Sequence, residues 1–298
     1  LKLCISTVVS ADDYQWFIPL FCHSAKLAYP DCGLRIFVRG TVHDIIKNNK
    51  KKFGNPDILE NQFLDFPTRR STCNALRHLI NPKHYQGYDI VYPTDVDFII
   101  LPHRKPHWKY YENIMRKAFS PYAACRGPVR GFKNHPTGVK TWSGVHTRVA
   151  AGCSMYKYPD FYQQTADARE YYTSVLKMGG HDKYDEIASA SYREYDEVML
   201  YRLIHLSGLR LPGHTNIFIN GEKADPKYRD IHLGDFKFKH RWNNKRKMKR
   251  ILHNESVKAY RNLSKNTKWN NTLDLVMQFG PNSVVKLLNN LEEYLGCR

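Results

Sequence analysis

Apolar and polar positions along the first hundred residues alternate between two periods. KLCISTVV (2–9) is a near-continuous apolar and β-branched run, the pattern of a strand covered on both faces. From Tyr14 to Tyr29 the apolar residues recur at helical spacing and stop before Pro30. LRIFVRG (34–40) predicts a second strand, ended by Gly40, and HDIIKNNKKKF (43–53) a short basic helix. STCNALRHLINP (71–82) predicts a helix from an N-cap at Ser71 to Pro82. YDIVYPTDVDFIIL (88–101) then predicts a strand entering a buried sheet. This β-α-β-α-β order implies an α/β fold with a mostly parallel, doubly wound sheet.

Beyond residue 101 the periodicity weakens, and the stretch 102–148, rich in His, Arg, Pro and Gly, predicts loops around one short helix near Tyr110 to Phe119. RVAAGCSMYKY (148–158) predicts a further strand. YDEVMLYRLIHLSGLRLP (195–212) gives the clearest helical pattern, with Asp196 and Glu197 in its first turn and Gly208 and Pro212 at its end. HTNIFIN (214–220) and RDIHLGDFKFKHRW (229–242) predict strand and loop. The last fifty residues hold a basic run and two expected helices. No linker is visible, so residues 1–242 are expected to form one domain and 243–298 a basic helical extension packed on it.

Composition narrows the class. An apolar share of 42% over 298 residues can fill a core. No stretch approaches the roughly 20 apolar residues of a membrane span. The N-terminal stretch lacks the basic region and cleavage site of a secretory signal and reads as a first strand and its loop. Seven scattered cysteines without a C-x-x-C spacing argue against a disulfide framework and a zinc ribbon. They suit a reducing compartment, and the expected location is cytoplasmic. In that setting the sequons at Asn254, Asn262 and Asn270 stay unmodified. A net charge of +18 implies an anionic partner: nucleic acid, a membrane surface or a phosphorylated substrate.

The chemistry gathers in two places. Asp95 and Asp97 stand two apart at the carboxyl end of the third strand, the end at which open α/β sheets bind ligands. If strand geometry persists there, both carboxylates face one way and repel unless a cation lies between them. All-oxygen ligands suit Mg²⁺ or Mn²⁺, whose shell phosphates complete. A bare D-x-D is common, and a turn cap plus an ion pair would account for it equally. IHLGDFK supplies His232, Gly234 and Lys237 as H-x-G-x-x-K. The imidazole is a metal ligand, the glycine lets backbone approach a phosphate, and the lysine brings a point charge to a diphosphate.

With both motifs in this order, residues 1–242 resemble a GT-A fold (Rossmann-like) nucleotide-sugar glycosyltransferase, most like the family 8 branch of retaining enzymes. VVSADDYQWFIP resembles the family's first nucleotide-binding loop. NALRHLINPKHYQGYDIVYPTDVDFII resembles its helix, strand and D-x-D, VAAGCSMYKYPDFY its acceptor-side strand, and IHLGDFK its closing motif. The resemblance implies that Asp95, Asp97 and His232 hold Mn²⁺ or Mg²⁺, with Asp95 also within reach of the ribose. Gly234 and Lys237 would contact the diphosphate and Arg77 the donor sugar or phosphate. Val9, Asp12 and Tyr14 would line the base pocket. The donor would be a nucleoside-diphosphate sugar, UDP favoured, and the acceptor a glycan, lipid-linked glycan or protein. Two departures stand out: Ala151 replaces the usual Asn before Gly152, and YDEV replaces D-Q-D. An acid at that helix start also serves inverting enzymes as general base, which makes Asp196 and Glu197 the catalytic candidates. Retention is slightly favoured.

The basic stretch 237–250 suggests peripheral contact with an anionic membrane, Trp242 and Met248 inserting shallowly. Two rival classes are weighed. A nucleic-acid-binding protein or metal-dependent nuclease would show a recognised motif or more clustered carboxylates, and no nucleic acid is expected. A nucleotidyltransferase would show a glycine-rich loop after the first strand, where SADDYQWF has no glycine.

Overall fold

The computed structural model describes residues 1–67, 74–102, 107–124, 130–131, 148–149, 154–177, 199–200, 203–204, 206–209, 230–237, 252 and 254–297. The chain is α/β, with a mostly parallel central sheet flanked by helices. It divides into two compact units. One comprises Leu1–Val8, Phe63–Thr94 and Trp108–Ala224, the other Val9–Gln62, Asp95–His107 and Asp225–Arg298.

β1 (Leu3–Ser10), which belongs to the first unit through Val8, runs parallel to β4 (Ile90–Pro93) in register from Leu3 opposite Ile90 to Ser6 opposite Pro93. β9 (Ser154–Lys157) lies antiparallel to β4, and β6 (Tyr122–Ala124) antiparallel to β9. β7 (Arg130–Gly131) and β8 (Arg148–Val149) form a separate antiparallel pair. Every residue of β1 from Leu3 to Val9 is buried, as its unbroken apolar run requires. Helices α3 (His107–Ala118), α4 (Asp160–Gln164) and α5 (Ala166–Lys177) belong to this unit's stretches. Aromatic stacking fills its core: the Tyr156 and Phe161 rings lie 3.9 Å apart and nearly parallel. Buried Arg169 donates to the carbonyls of His78 and Ile80 and sits 5.0 Å over the Tyr162 ring, so its charge is not left alone.

In the second unit, β2 (Gly33–Arg39) pairs parallel with β3 (Asp57–Leu59). Gly40 ends β2 at φ 104°, where a Cβ would come within 2.9 Å of Ala11 Cβ. The residues from Tyr14 fold as a 3-10 turn, Asp13–Phe17, followed by α1 (Ile18–Ala28), with Pro19 in its first turn. The basic helix is α2 (Asp44–Asn49), continued by a 3-10 turn, Lys50–Phe53. The C-terminal stretch holds three helices where the sequence predicted two: α6 (Asn254–Leu263), α7 (Thr267–Phe279) and α8 (Asn282–Leu295). Asn266 separates the first two, its Oδ1 accepting from the Trp269 N–H at 3.1 Å as the N-cap of α7. α7 packs on α1, and His23 on α1 bonds Thr272 on α7 at 2.6 Å.

Candidate functional site

The run 88–101 is not one strand. β4 stops at Pro93, the Thr94 N–H bonds the Ser6 carbonyl at 2.9 Å, and the chain turns at Val96–Asp97 before β5 (Phe98–Ile99). Asp95 and Asp97 therefore stand between two strands, where i, i+2 alternation does not set the direction of their side chains. What places Asp97 is its neighbour in space. β5 pairs antiparallel with β10 (Ile231–His232), with His232 opposite Phe98, and the Leu233 N–H donates to the Asp97 carbonyl at 2.8 Å.

That pairing brings the two sequence motifs together within the second unit. His232 Nε2 lies 3.2 Å from Asp97 Oδ2, and Nδ1 lies 3.8 Å from Asp235 Oδ2. Asp97 is buried at 5% exposure, while the His232 side chain keeps 32%. The imidazole stacks on Phe98, ring centres 4.8 Å apart and 22° from parallel. Burial opposes a charge on His232. The carboxylates of Asp97 and Asp235, with a smaller pull from Asp95, outweigh it and raise the ring's pKa up to about 10.

Gly234 explains itself here. A Cβ on it would lie 3.0 Å from His232 Cε1, 3.1 Å from Nε2 and 3.4 Å from Asp97 Oδ2. Any side chain would crowd the pair, so the glycine keeps a cradle beside them. Lys237, exposed, closes the 3-10 turn Leu233–Phe236, its N–H bonding the Gly234 carbonyl at 3.3 Å. Leu233 and Phe236 are buried and pin that turn. α8 holds it from outside: Asn290 Nδ2 donates to the Phe236 carbonyl at 3.0 Å, and the Tyr294 ring meets Phe236 at 5.8 Å.

Asp97 and His232 offer a carboxylate oxygen and an imidazole nitrogen, a mixed pair of donors of the kind a Mn²⁺-type cation accepts. Neighbouring ligands of an octahedral ion bound at about 2.0–2.1 Å lie about 3 Å apart, close to the Asp97–His232 spacing. Among the described residues no group of three or more His, Cys, Asp or Glu side chains is arranged to hold a metal. Two protein ligands alone would leave most of such an ion's shell to water and other oxygens.

The remaining candidates are placed as follows. Asp95, partly exposed, belongs to the same unit and acts on His232 through its charge. Val9 is buried at the end of β1. Asp12 caps the first 3-10 turn, its Oδ1 accepting from the Tyr14 N–H at 2.8 Å, and the Tyr14 ring meets Phe17 edge-on at 5.4 Å. Arg77 is buried in the first unit, its Nε donating to His78 Nε2 at 3.2 Å. Asp196, Glu197, Ala151 and the basic stretch beyond Lys237 lie outside the described residues. Sequence reasoning passed over Phe98, Asp235, Asn290 and Tyr294. Only Asp235 left a signal, an acid three residues after a candidate ligand inside the same short turn.

The sequence matches no family model and no curated protein. Among solved structures it is similar to the galactosyltransferase LgtC in complex with donor and acceptor sugar analogs, at 15% identity and TM-score 0.38, over 77% of this chain and 82% of that one. Core-mannan synthase A from Aspergillus fumigatus, in its Mn/GDP form, is similar at 8% identity and TM-score 0.41, over 67% and 69%. The apo form of the glycosyltransferase GlyE of Streptococcus pneumoniae is similar at 11% identity and TM-score 0.40, over 99% of this chain and 63% of that one. Likeness at this level assigns neither family nor activity. Among the described residues no helix is long and apolar enough to cross a membrane.

Proposed function

We propose that the chain is a metal-dependent glycosyltransferase of the GT-A type. It moves a sugar from a nucleoside-diphosphate sugar, UDP in preference, to a glycan, lipid-linked glycan or protein acceptor. The observation that carries this reading is the meeting of D-x-D and H-x-G-x-x-K: Asp97 and His232 at 3.2 Å, with Gly234 keeping space beside them. Two motifs more than 130 residues apart in sequence have no need to meet if each is an ordinary turn.

In this reading Asp97 and His232, with Asp95 close by, hold Mn²⁺ or Mg²⁺. The cation, when bound, neutralises charge building on the departing diphosphate. Lys237 adds a second positive charge to that leaving group. In retention, the slightly favoured course, a leaving phosphate oxygen takes the acceptor hydroxyl's proton on the face it departs from. In inversion Asp196 or Glu197 takes it. The stretch 237–250 rests on an anionic membrane surface that presents the acceptor.

Calorimetry of the metal-free protein with UDP, GDP and CMP, each with Mn²⁺ or EDTA, tests the proposal. Micromolar binding of one nucleotide that disappears in EDTA is expected and would name the donor class. Absence of binding to all three with Mn²⁺ present would overturn it.

A further inference from the structure

A metal-ligating histidine works only if its ring is turned the right way. Rotation by half a turn exchanges nitrogen for carbon at each edge and would present carbon to the cation. His232 is restrained on three sides. Asp97 faces Nε2 at 3.2 Å, and Asp235 faces Nδ1 at 3.8 Å from the opposite edge. Phe98, paired with His232 across β5 and β10, stacks on its face. Gly234, having no side chain, leaves the Cε1–Nε2 edge open. The Asp235 contact is too long for a hydrogen bond and acts as a charge contact. It reaches from the same 3-10 turn, whose backbone is fixed by the buried Leu233 and Phe236.

We propose that Asp235, with Phe98 beneath the ring, is a positioning residue: it keeps the His232 proton on Nδ1 and leaves the Nε2 lone pair to the cation. This rests on the reading of Asp97 and His232 as metal ligands. Carboxylates behind metal-bound histidines act in this way, and their removal typically costs about 10–100-fold in metal affinity. The role belongs to this chain's H-L-G-D-F-K, since the H-x-G-x-x-K pattern itself asks for no acid at that position.

The test uses the full chain, stripped of metal, titrated with Mn²⁺ by calorimetry. Asp235→Ala should bind about 10–100-fold more weakly than the wild type. Asp235→Asn, which keeps the shape but removes the charge that acts across 3.8 Å, should lose nearly as much, and Phe98→Leu should lose less. Melting in EDTA should show each variant folded. Either Asp235 variant binding Mn²⁺ like the wild type would overturn the proposal. A measurement on the unsubstituted protein guards against a variant that fails to fold. In ¹⁵N-histidine spectra of the Mg²⁺-loaded chain, His232 should carry its proton on Nδ1, and a proton on Nε2 would overturn the proposal. A wild type that binds no Mn²⁺ would remove the metal reading and this inference with it.

Discussion

Replacing Asp97 by Asn removes the charge that faces His232 and one of the two closest candidate ligands while keeping the side chain's shape. Manganese-dependent nucleotide binding should fall by at least about 100-fold, since a neutral amide is a poor ligand for a hard cation. The fold should survive. Breaking a fully buried ion pair costs about 3–5 kcal/mol, but the His232 side chain is 32% exposed, so solvent takes up part of the lost interaction. A loss of about 1–2 kcal/mol is expected. Calorimetry and thermal melting in EDTA, run side by side, separate the two effects. An Asp97→Asn variant that binds the nucleotide like the wild type would end the assignment.

At the scale of elements, the turn that carries His232, Gly234 and Lys237 depends on a helix that contributes no ligand. Asn290→Ala removes the hydrogen bond to the Phe236 carbonyl, worth about 1 kcal/mol, and Tyr294→Ala removes the ring contact on the same residue. The double variant should weaken metal-dependent nucleotide binding several-fold with helix content unchanged by circular dichroism. Unchanged affinity would mean that Leu233 and Phe236 hold the turn unaided. This dependence was not legible in the sequence, where α8 belonged to an extension beyond residue 242. The strands β1, β2 and β4 and the helices α1 and α2 were legible, because periodicity reports burial; β3 was not anticipated, and of the helix expected over 71–82 only 74–76 are helical among the described residues. The break after Pro93 was not legible. A run as apolar as VYPTDVDFIIL looks continuous, although the pairing partner changes within it, from β1 for Pro93 to β10 for Phe98. The sequence undercounted the C-terminal helices by one, and α6, which buries only Ser256, Tyr260 and Leu263, follows directly on the basic run. Likewise, D-x-D and H-x-G-x-x-K marked the right residues, but cross-strand pairing brought Asp97 to His232, and no local pattern encodes that.

At the scale of the whole molecule, three histidines among the described residues set opposing pH dependences in metal-free solution. Burial, helped by Lys268, lowers the pKa of His23, and burial, helped by Arg77, lowers that of His78 further. Their unfolded value is about 6.5. Below it the unfolded chain binds more protons than the folded one, so stability contributed above about 6.5 is lost as pH falls. His232 has the opposite sign: with a folded pKa of about 10, its contribution is present below about 6.5 and is lost as pH rises toward 10. These three groups together place the stability maximum near pH 6.5. Since His78 lies in the first unit and His23 in the second, acid should weaken both. Urea unfolding in EDTA at pH 5, 6.5 and 8.5 should give the highest stability at the middle value, and a steady rise from pH 5 to 8.5 would contradict the assignment. The support that α8 gives to the Leu233–Phe236 turn also has a consequence in time. Asp97 leaves the ribosome roughly two hundred residues before Asn290 and Tyr294 do. At about 5–20 residues per second that gap lasts on the order of 10–40 s. Throughout it the nascent chain carries Asp97 without the brace that α8 gives the Leu233–Phe236 turn, so on the proposed reading full affinity for a nucleotide waits for that helix.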